Sequence, residues 1–269
     1  MIDVSVVIPT FRRPELLREA IDSVLSQQGV VTEVIVIDDS PEGSARAVCE
    51  QRNDSRLNYV QNKSPSGGRP ALVRNSGWPL THGRFVHFLD DDDRVAAGYY
   101  QAAVEAFSAH PDRGVIFGRI EPFSETESKA IVAERAFFAD AARRARLAAR
   151  LQWRQWLVAN LLFYQTVLVN SACMIRRECI ADLGGYDPEL KLNEDVDFYC
   201  RAIRAHGFHF LDRVVVHYRL LGDSLMHGRT DNAGLVASYQ RMYSLYRAKH
   251  GRAELFALKL LARTLLRVV

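Results

Sequence analysis

The stretch "VSVVIPTFRRPELLREAIDSVLSQQ", residues 4–28, decides how the first part of the chain folds. Its first six residues are mostly apolar and predict a buried strand. After them, apolar residues recur at the spacing of one helical face, which predicts an amphipathic helix. The residues of that face are Leu16, Leu17, Ala20, Ile21, Val24 and Leu25. A strand followed at once by such a helix is the repeating unit of α/β proteins.

The strand–helix alternation continues to about residue 110. "EVIVID" (33–38), "LNYVQ" (57–61) and "RFVHFL" (84–89) are predicted strands, with helical segments between them. Continuous apolar strands that alternate with helices favour a parallel sheet covered by helices on both faces. We therefore predict an α/β fold with a mostly parallel sheet flanked by helices.

The second half of the chain is less regular. It predicts a strand at 114–120, an arginine- and alanine-rich helix that ends near residue 162, and a strand at 167–175. Further helices and a strand follow before residue 220, and from residue 231 onward the pattern is helical throughout. This order predicts a single domain with a C-terminal helical extension.

Composition and cysteine usage predict where the protein works. The chain has 269 residues and a formal net charge of +3, too small an excess to indicate a nucleic-acid partner. Its four cysteines show no zinc spacing, so buried free thiols in a reducing compartment are expected. No basic segment of a signal peptide precedes the first strand. We therefore predict a cytoplasmic location.

The uncharged segment 156–175 has two interpretations. It is about long enough to span a bilayer. However, its Asn160 and Asn170 would need hydrogen-bond partners in hydrocarbon, and its last third has the pattern of a strand. A buried helix–strand pair is therefore the favoured interpretation.

Two groups of aspartates follow predicted strands. Asp38 and Asp39 end the second strand in "VIDDS", and Asp90 to Asp93 follow a later one in "HFLDDDDR". Ligands of open parallel sheets bind beyond the carboxyl ends of the strands. Neighbouring carboxylates repel one another unless a cation lies among them, and a divalent ion shared with substrate phosphates is the common solution. Capping of a helix N-terminus is the alternative, but it needs only one or two aspartates.

No glycine-rich phosphate loop accompanies these aspartates. The sequence contains neither G-x-G-x-x-G after the first strand nor G-x-x-x-x-G-K-[ST] at any position. A phosphate ligand would therefore be held by a metal ion and by arginine side chains.

A third acidic group, "NEDVD", covers residues 193–197 at the start of a predicted helix. The helix N-terminus stabilises a carboxylate, and a general base must be ionised to accept a proton. Simple helix capping is the alternative, and it would need only one of Asn193, Glu194 and Asp195. Both interpretations are compatible with the pattern.

Six segments together resemble one known family. They are "VSVVIPTFRRPELLREAIDSVLSQQ", "EVIVIDDSPEGS", "GGRPALVRNSG", "GRFVHFLDDDD", "CMIRRECIADLGGYD" and "NEDVDFYCRAI". Their order and spacing are similar to those of the family-two inverting glycosyltransferases, which have the GT-A fold and use nucleotide-activated sugars. The resemblance covers about residues 3–220. It implies a nucleotide-sugar-binding domain at 1–230, with a nucleotide-binding half (1–110) and an acceptor-binding half (111–230), before the helical extension 231–269.

The resemblance implies metal-dependent transfer of a sugar from a UDP-sugar to a hydroxyl of a glycan, glycolipid or glycoprotein, with Mn²⁺ or Mg²⁺ as the cofactor. Two other functions are weighed against it. A sugar-phosphate nucleotidyltransferase would favour a glycine-rich loop with lysine near the first strand, where this chain has "PTFRRPE". A non-catalytic carbohydrate-binding domain on the same fold would be expected to lack the D-x-D or the Glu-Asp motif, and both are present.

The resemblance also assigns residues to the nucleotide site. Its members are Pro9, Thr10, Phe11, Arg12, Asp39, Arg69, Asn75, Asp90 and Asp91. Within this set, Phe11 would lie along the base and Asp39 would accept a hydrogen bond from uracil. Arg69 would contact the base or a phosphate, and Asp91 would face the ribose.

The metal ligand and the general base are assigned in the same way. Asp92 would bind the metal ion on the diphosphate, although the run of four aspartates leaves Asp90 as an alternative. His217 is a further candidate ligand, with a purely structural histidine as its alternative. Asp195 matches the general base of the family, and Glu194 matches the acid beside it.

The C-terminal segment 252–269 has the pattern of a basic amphipathic helix. Leu258, Leu261, Leu265 and Val269 share one helical face, while Lys259, Arg263 and Arg267 recur every four residues. Such a helix could lie on the inner face of an anionic membrane and bring the enzyme to a lipid-linked acceptor. It could instead pack on the domain or on a second subunit in a homodimer.

Overall fold

The strands form one sheet that is parallel in its first half. The computed structural model describes residues 1–164, 167–221 and 232–265. Its strands are β1 (Val4–Thr10), β2 (Thr32–Asp38), β3 (Leu57–Gln61), β4 (Phe85–Phe88), β5 (Arg94–Val95), β6 (Val115–Phe123), β7 (Cys173–Arg176) and β8 (Phe208–Arg219). They lie in the order β3-β2-β1-β4-β7-β6-β8-β5. The first four are mutually parallel, whereas β7 runs antiparallel to both β4 and β6.

Helices cover both faces of this sheet. They are α1 (Pro14–Leu25), α2 (Arg46–Arg52), α3 (Pro70–Gly77), α4 (Tyr99–Ala109), α5 (Lys129–Leu151), α6 (Arg154–Phe163), α7 (Arg177–Leu183), α8 (Glu194–His206), α9 (Asn232–His250) and α10 (Arg252–Leu265). The predicted apolar face of α1 is buried except for Leu16, which is half-buried. The mixed α/β fold with a sheet flanked by helices is therefore confirmed.

Helix α3 lies unusually close to the sheet. A Cβ atom on Gly77 would lie 2.6 Å from Val7 Cγ1 and 3.0 Å from Ile37 Cγ1, so a side chain there would push the helix away from β1 and β2. This close approach holds the buried face of α3 against the carboxyl ends of the parallel strands, where ligands of such sheets bind.

Two details of the second half differ from the prediction. The helix predicted to run to residue 162 is interrupted at Gln152, which adopts a left-handed backbone (φ 50°) and ends α5 before α6 begins. The strand predicted at 167–175 begins only at Cys173, because Asn170–Ala172 form a 3₁₀ turn. In that turn Ser171 Oγ accepts a hydrogen bond from the Asp90 amide at 3.1 Å, a long-range contact that replaces strand pairing.

The described residues of the uncharged segment 156–175 form a buried helix, a 3₁₀ turn and a short strand, which agrees with the favoured interpretation. Residues Trp156 to Leu162 of α6 are buried, and α6 packs on α8 and α10. Across the described ranges of the chain, no helix is both long and apolar enough to cross a bilayer. All four cysteines are free and buried, which confirms that prediction.

Helix α10 packs on the domain through its apolar face, the face for which membrane contact was one of the two predictions. Leu258 and Ala262 are buried and Leu261 is half-buried, and α10 packs on α6 and α9. The packing interpretation therefore holds for this face. Lys259 and Arg263 remain exposed. Residues 266–269, with Arg267 and Val269, and the predicted domain boundary at 230 lie outside the described residues, as does the side chain of Leu265.

Candidate active site

The two aspartates after β2 have different surroundings. Asp38 is fully buried and accepts hydrogen bonds from the Ser40 amide (2.9 Å) and the Ala45 amide (2.8 Å), so it shapes the turn that leads to α2. Asp39 accepts hydrogen bonds from Asn62 Nδ2 (2.6 Å) and from the amide (2.9 Å) and hydroxyl (2.6 Å) of Ser66. Asp39 therefore holds the glycine- and serine-rich loop at 62–68 against the end of the sheet.

The same loop connects Asp39 to Arg69. Ser66 Oγ accepts a hydrogen bond from the Arg69 amide at 3.1 Å, and Arg69 is the residue before α3. Asp39 and Arg69 thus border one loop, and their joint role in base binding stays a prediction. Sequence patterns did not single out Ser66 or Asn62, although polar residues beside two glycines are typical of a loop that contacts a ligand.

The segment after β1 places Phe11 at the surface. Phe11 is 48% exposed at the strand end, where a base could stack on it. Arg12 lies over the Phe11 ring at 5.0 Å and pairs with Glu42 at 2.6 Å. Thr10 is buried, and its hydroxyl donates to Asp91 Oδ2 at 2.7 Å. Thr10 therefore contacts the aspartate run, while Phe11 is exposed.

The four aspartates after β4 are held by different partners. Asp90 accepts a hydrogen bond from Arg74 Nη2 at 2.6 Å, and Asp92 from Arg13 Nη1 at 2.9 Å. Asp93 accepts one from the backbone amide of Arg219 at 2.9 Å. Asp90, Asp92 and Asp93 thus have three different partners, which a single helix cap would not require.

Burial and mutual repulsion raise the pKa values of three of these aspartates. Burial, and then the charge of Asp92, raises the pKa of Asp91 to about 7. Burial, followed by the charges of neighbouring aspartates, also raises the pKa values of Asp92 and Asp93. Among the residues that the structure describes, Arg13 is the only cation that forms an ion pair with Asp91 and Asp92. Two buried carboxylates thus share one guanidinium, and a further cation would relieve their mutual repulsion.

The aspartate run fits a divalent ion that is completed by its substrate. In the described parts of the chain, no group of three or more His, Cys, Asp or Glu is arranged to hold a metal. Mg²⁺, however, binds through one or two carboxylates together with phosphate oxygens and water. Asp90 and Asp92 keep side-chain exposures of 33% and 18%, so both can supply such oxygens.

A buried arginine joins this run to the third acidic group. Arg74 is only 4% exposed, and its guanidinium donates to Asp90 at 2.6 Å and to Glu194 Oε1 at 2.7 Å. Burial alone would lower the pKa of Arg74, but the two carboxylates outweigh it and raise that pKa. Sequence reasoning missed Arg74. The available signal was a charged residue on the apolar face of α3, which must be paired when buried.

The predicted base lies at the start of α8. Glu194 is buried and engaged by Arg74, whereas Asp195 is half-buried and accepts a bond from the Val196 amide at 2.8 Å. Burial, and then the charge of Glu194, raises the pKa of Asp195 to about 7. Asn193 has a left-handed backbone (φ 57°) and makes no side-chain cap bond. Asn193 is therefore the N-cap residue through its backbone carbonyl, which accepts a hydrogen bond from the Asp197 amide at 3.1 Å, and its side chain makes no cap bond.

Two predicted site residues contact other parts of the protein. The Asn75 amide donates to the Tyr186 carbonyl at 2.8 Å and accepts from the Tyr186 amide at 2.9 Å, so it holds the loop before α8. His217 Nδ1 lies 2.9 Å from Glu121 on the adjacent strand β6. Asn75 and His217 therefore each have a protein partner in this structure, and their assignments to the nucleotide site and to the metal ligands stay predictions.

Comparison with known proteins identifies the protein family to which the chain belongs. Residues 5–180 match the family described as Glycosyl transferase family 2, and this is more than half of the chain. The chain therefore belongs to that family. The resemblance found in the sequence motifs is thereby confirmed.

Individual relatives are similar over different lengths. The chain is 38% identical over 96 residues to the GalNAc(5)-diNAcBac-PP-undecaprenol beta-1,3-glucosyltransferase of Campylobacter jejuni, a match that covers 35% of this chain and 31% of that protein. It is 24% identical over 215 residues to the putative colanic acid biosynthesis glycosyl transferase WcaA of Escherichia coli. This match covers 76% of this chain and 67% of that protein. The matched region thus spans less than a third of the length of the Campylobacter relative.

Solved structures share the fold. The S. aureus TarS 1–349 structure in complex with UDP-GlcNAc superposes with a TM-score of 0.65 at 20% identity, covering 92% of this chain and 65% of that one. The TarS 1–349 structure in complex with UDP gives a TM-score of 0.61 at 18% identity, and the match covers 96% of this chain and 75% of the TarS chain. At these identities the likeness establishes the fold, and it agrees with the GT-A fold expected from the motifs.

Proposed function

We propose that this chain catalyses the metal-dependent, inverting transfer of a sugar from a UDP-sugar to a hydroxyl of an acceptor. One observation carries the proposal: Arg74 joins Asp90, in the carboxylate run after β4, to Glu194, in the acidic pair at the start of α8, which is 120 residues from Arg74 along the chain. A donor diphosphate and an acceptor hydroxyl react within one site, so they need such groups close to each other. Membership of the glycosyltransferase family supports the same chemistry.

On the donor side, Phe11, Asp39 and Arg69 would bind the uridine. Phe11 offers an exposed ring for stacking, and Asp39 offers carboxylate oxygens to the uracil N3–H once a ligand displaces part of its contact with Ser66. Asp90 and Asp92 would hold Mn²⁺ or Mg²⁺. A divalent ion bound there would neutralise charge on the diphosphate and so improve UDP as a leaving group.

On the acceptor side, Asp195 would act as the general base. Inversion requires the hydroxyl to attack the anomeric carbon from the face opposite UDP. The hydroxyl proton passes to the Asp195 carboxylate, the new C–O bond forms, and the bond to the UDP oxygen breaks. Glu194 is occupied by Arg74, so it positions the site and is not the base. Because its pKa is about 7, Asp195 can exchange a proton near neutral pH.

Removing the Asp39 carboxylate is expected to weaken UDP binding. Asp39→Ala would lose a charged hydrogen bond to uracil, which is worth about 1.5–3 kcal/mol, or roughly a 10- to 150-fold increase in Kd. Isothermal titration calorimetry with UDP measures this directly. Ser66→Ala is the matched control, because it loosens the same loop and keeps the carboxylate. An unchanged Kd in Asp39→Ala would remove Asp39 from the base site.

Binding of UDP is expected to depend on the metal through Asp92. In wild-type protein, replacing Mn²⁺ by excess chelator should weaken UDP binding by roughly tenfold or more, because the diphosphate loses its counter-ion. In Asp92→Asn the difference between the two conditions should largely disappear. Asp212→Asn changes an exposed acid paired with Arg146 and serves as the control. Equally tight UDP binding by the wild type in chelator contradicts the assignment.

A further inference from the structure

A cavity lined by α6, α9 and α10 lies outside the aspartate run. We call it the C-terminal groove, and its volume is about 960 Å³. Its lining residues are Phe163, Tyr164, Tyr243, Arg247, Arg252, Leu255, Phe256, Lys259, Ala262 and Arg263. Aromatic rings and cations thus share its walls, and its volume is that of a site for an organic ligand rather than for a single ion.

The groove is strongly cationic. Four of its lining residues carry positive charge (Arg247, Arg252, Lys259 and Arg263), and none of its lining residues carries negative charge. Within the described portion of the chain, no ion pair neutralises any of these four. Glu254, the acidic residue of α10, pairs instead with Arg204, which does not line the groove; the distance from Arg204 Nη2 to Glu254 Oε2 is 2.8 Å. Such a surface is complementary to an anion.

The groove is also apolar at its rim. Phe256 is 69% exposed and Tyr164 is 53% exposed. Large exposed rings grouped in one place are typical of a surface that an apolar ligand covers. Because the rings and cations lie side by side, a ligand that satisfies both would be amphiphilic, with an anionic group next to a hydrocarbon chain.

A row of aromatic rings leads from the groove to the candidate base. The Tyr243 ring stacks on Phe163 in the groove at 5.1 Å and lies 6.0 Å from the Tyr239 ring, one helical turn earlier in α9. Tyr239 is close enough to Asp195 that, after burial, the charge of Asp195 raises the Tyr239 pKa. Aromatic faces of this kind are suitable platforms for sugar rings.

We propose that the C-terminal groove binds the acceptor, and that the acceptor is a saccharide joined through a phosphate or diphosphate to a hydrocarbon chain. The four cations would hold the phosphate, and Phe256 and Tyr164 would contact the hydrocarbon. The saccharide would then extend along Tyr243 and Tyr239 and present its hydroxyl to Asp195. The inference rests on the proposed transferase function and specifies its acceptor class.

Farnesyl diphosphate is a suitable probe, because it combines a diphosphate with a hydrocarbon chain. Its binding is measured by calorimetry with UDP and Mn²⁺ at saturation, so that the donor diphosphate site is filled. Farnesyl diphosphate should bind wild-type protein at least about tenfold more tightly than inorganic diphosphate. The triple variant Arg252→Ala, Lys259→Ala and Arg263→Ala should bind it roughly 10- to 100-fold more weakly, because charge-assisted contacts are lost.

A matched triple variant controls for net charge. Arg18→Ala, Lys129→Ala and Arg150→Ala removes three exposed cations elsewhere and should leave farnesyl diphosphate binding unchanged. Phe256→Ser should weaken binding of farnesyl diphosphate and not of inorganic diphosphate. Equal binding of farnesyl diphosphate by the groove variant and the wild type overturns the proposal. So does binding confined to phosphatidylglycerol vesicles, which would make the groove a membrane-contacting surface.

Binding of UDP separates this inference from the proposed function. Each variant is titrated with UDP and Mn²⁺ in the same buffer, and the groove variant should keep the wild-type Kd, which also demonstrates that it is folded. A wild-type protein that fails to bind UDP contradicts the proposed function. A protein that binds UDP normally but does not discriminate farnesyl diphosphate from inorganic diphosphate contradicts only the groove.

Discussion

Asp195→Asn should reduce the rate of sugar transfer by roughly 10²–10⁴-fold, the usual loss when a general base is removed. Asparagine preserves the shape of the side chain and its contact with the Val196 amide, but it cannot accept a proton. The donor site is formed by other residues, so the Kd for UDP should stay within about twofold of the wild type. Transfer rates and UDP titrations of the same preparation measure both quantities.

The pH dependence of transfer provides a second measurement of the same role. Asp195 must be deprotonated to act, and its pKa is raised to about 7, so the rate should fall as pH falls below about 7. Burial and then the charge of Glu194 raise this pKa. Glu194→Gln should therefore shift the acidic limb to lower pH. Near wild-type transfer by Asp195→Asn would make Asp195 a helix-capping residue and would leave the base unassigned.

Arg74→Met should lower the free energy of unfolding by about 3–5 kcal/mol, because it leaves the carboxylates of Asp90 and Glu194 without their buried partner. Arg74→Lys keeps the charge but lacks the forked guanidinium that contacts both acids, so we expect a smaller loss. Urea unfolding at neutral pH measures the change.

The exposed pair of Arg56 and Asp54 is the control for the Arg74 experiment. Its side chains are 40% and 21% exposed, and Arg56→Met should cost at most about 1 kcal/mol. If Arg74→Met is no more destabilising than Arg56→Met, the bridge between the two acidic groups contributes little to stability. In that case Arg74 would only position Asp90 and Glu194. A stable Arg74→Met variant with a reduced rate of sugar transfer would demonstrate that role.

Local patterns in the sequence were sufficient to predict most secondary structure. The spacing of apolar residues predicted the strands before residue 90 and the helix at 14–25. This was possible because the spacing is a property of the sequence and does not depend on tertiary contacts. The placement of Asp39 and Asp90 at strand ends was predictable for the same reason. Asp195 could be assigned to the start of α8 because the segment after it has a helical period.

The interruption at Gln152 and the turn at Asn170–Ala172 could not be predicted in this way. Gln152 has neither glycine nor proline beside it, so no local signal marks its left-handed backbone. The turn at Ser171 depends on a contact with Asp90, which is 81 residues away in the sequence. This turn therefore depends on packing between distant segments, which overrides local preference.

The sequence by itself determined which carboxylates are available and at which strand or helix end each one lies, because periodicity is a local property of the chain. Only the tertiary structure decided how they are combined. It placed Arg74 between Asp90 and Glu194, directed Asn75 and His217 to structural partners, and turned the Leu258 face of α10 inward. The physical reason is that a buried charge or apolar face must find its partner, and that partner is fixed only when the whole chain packs.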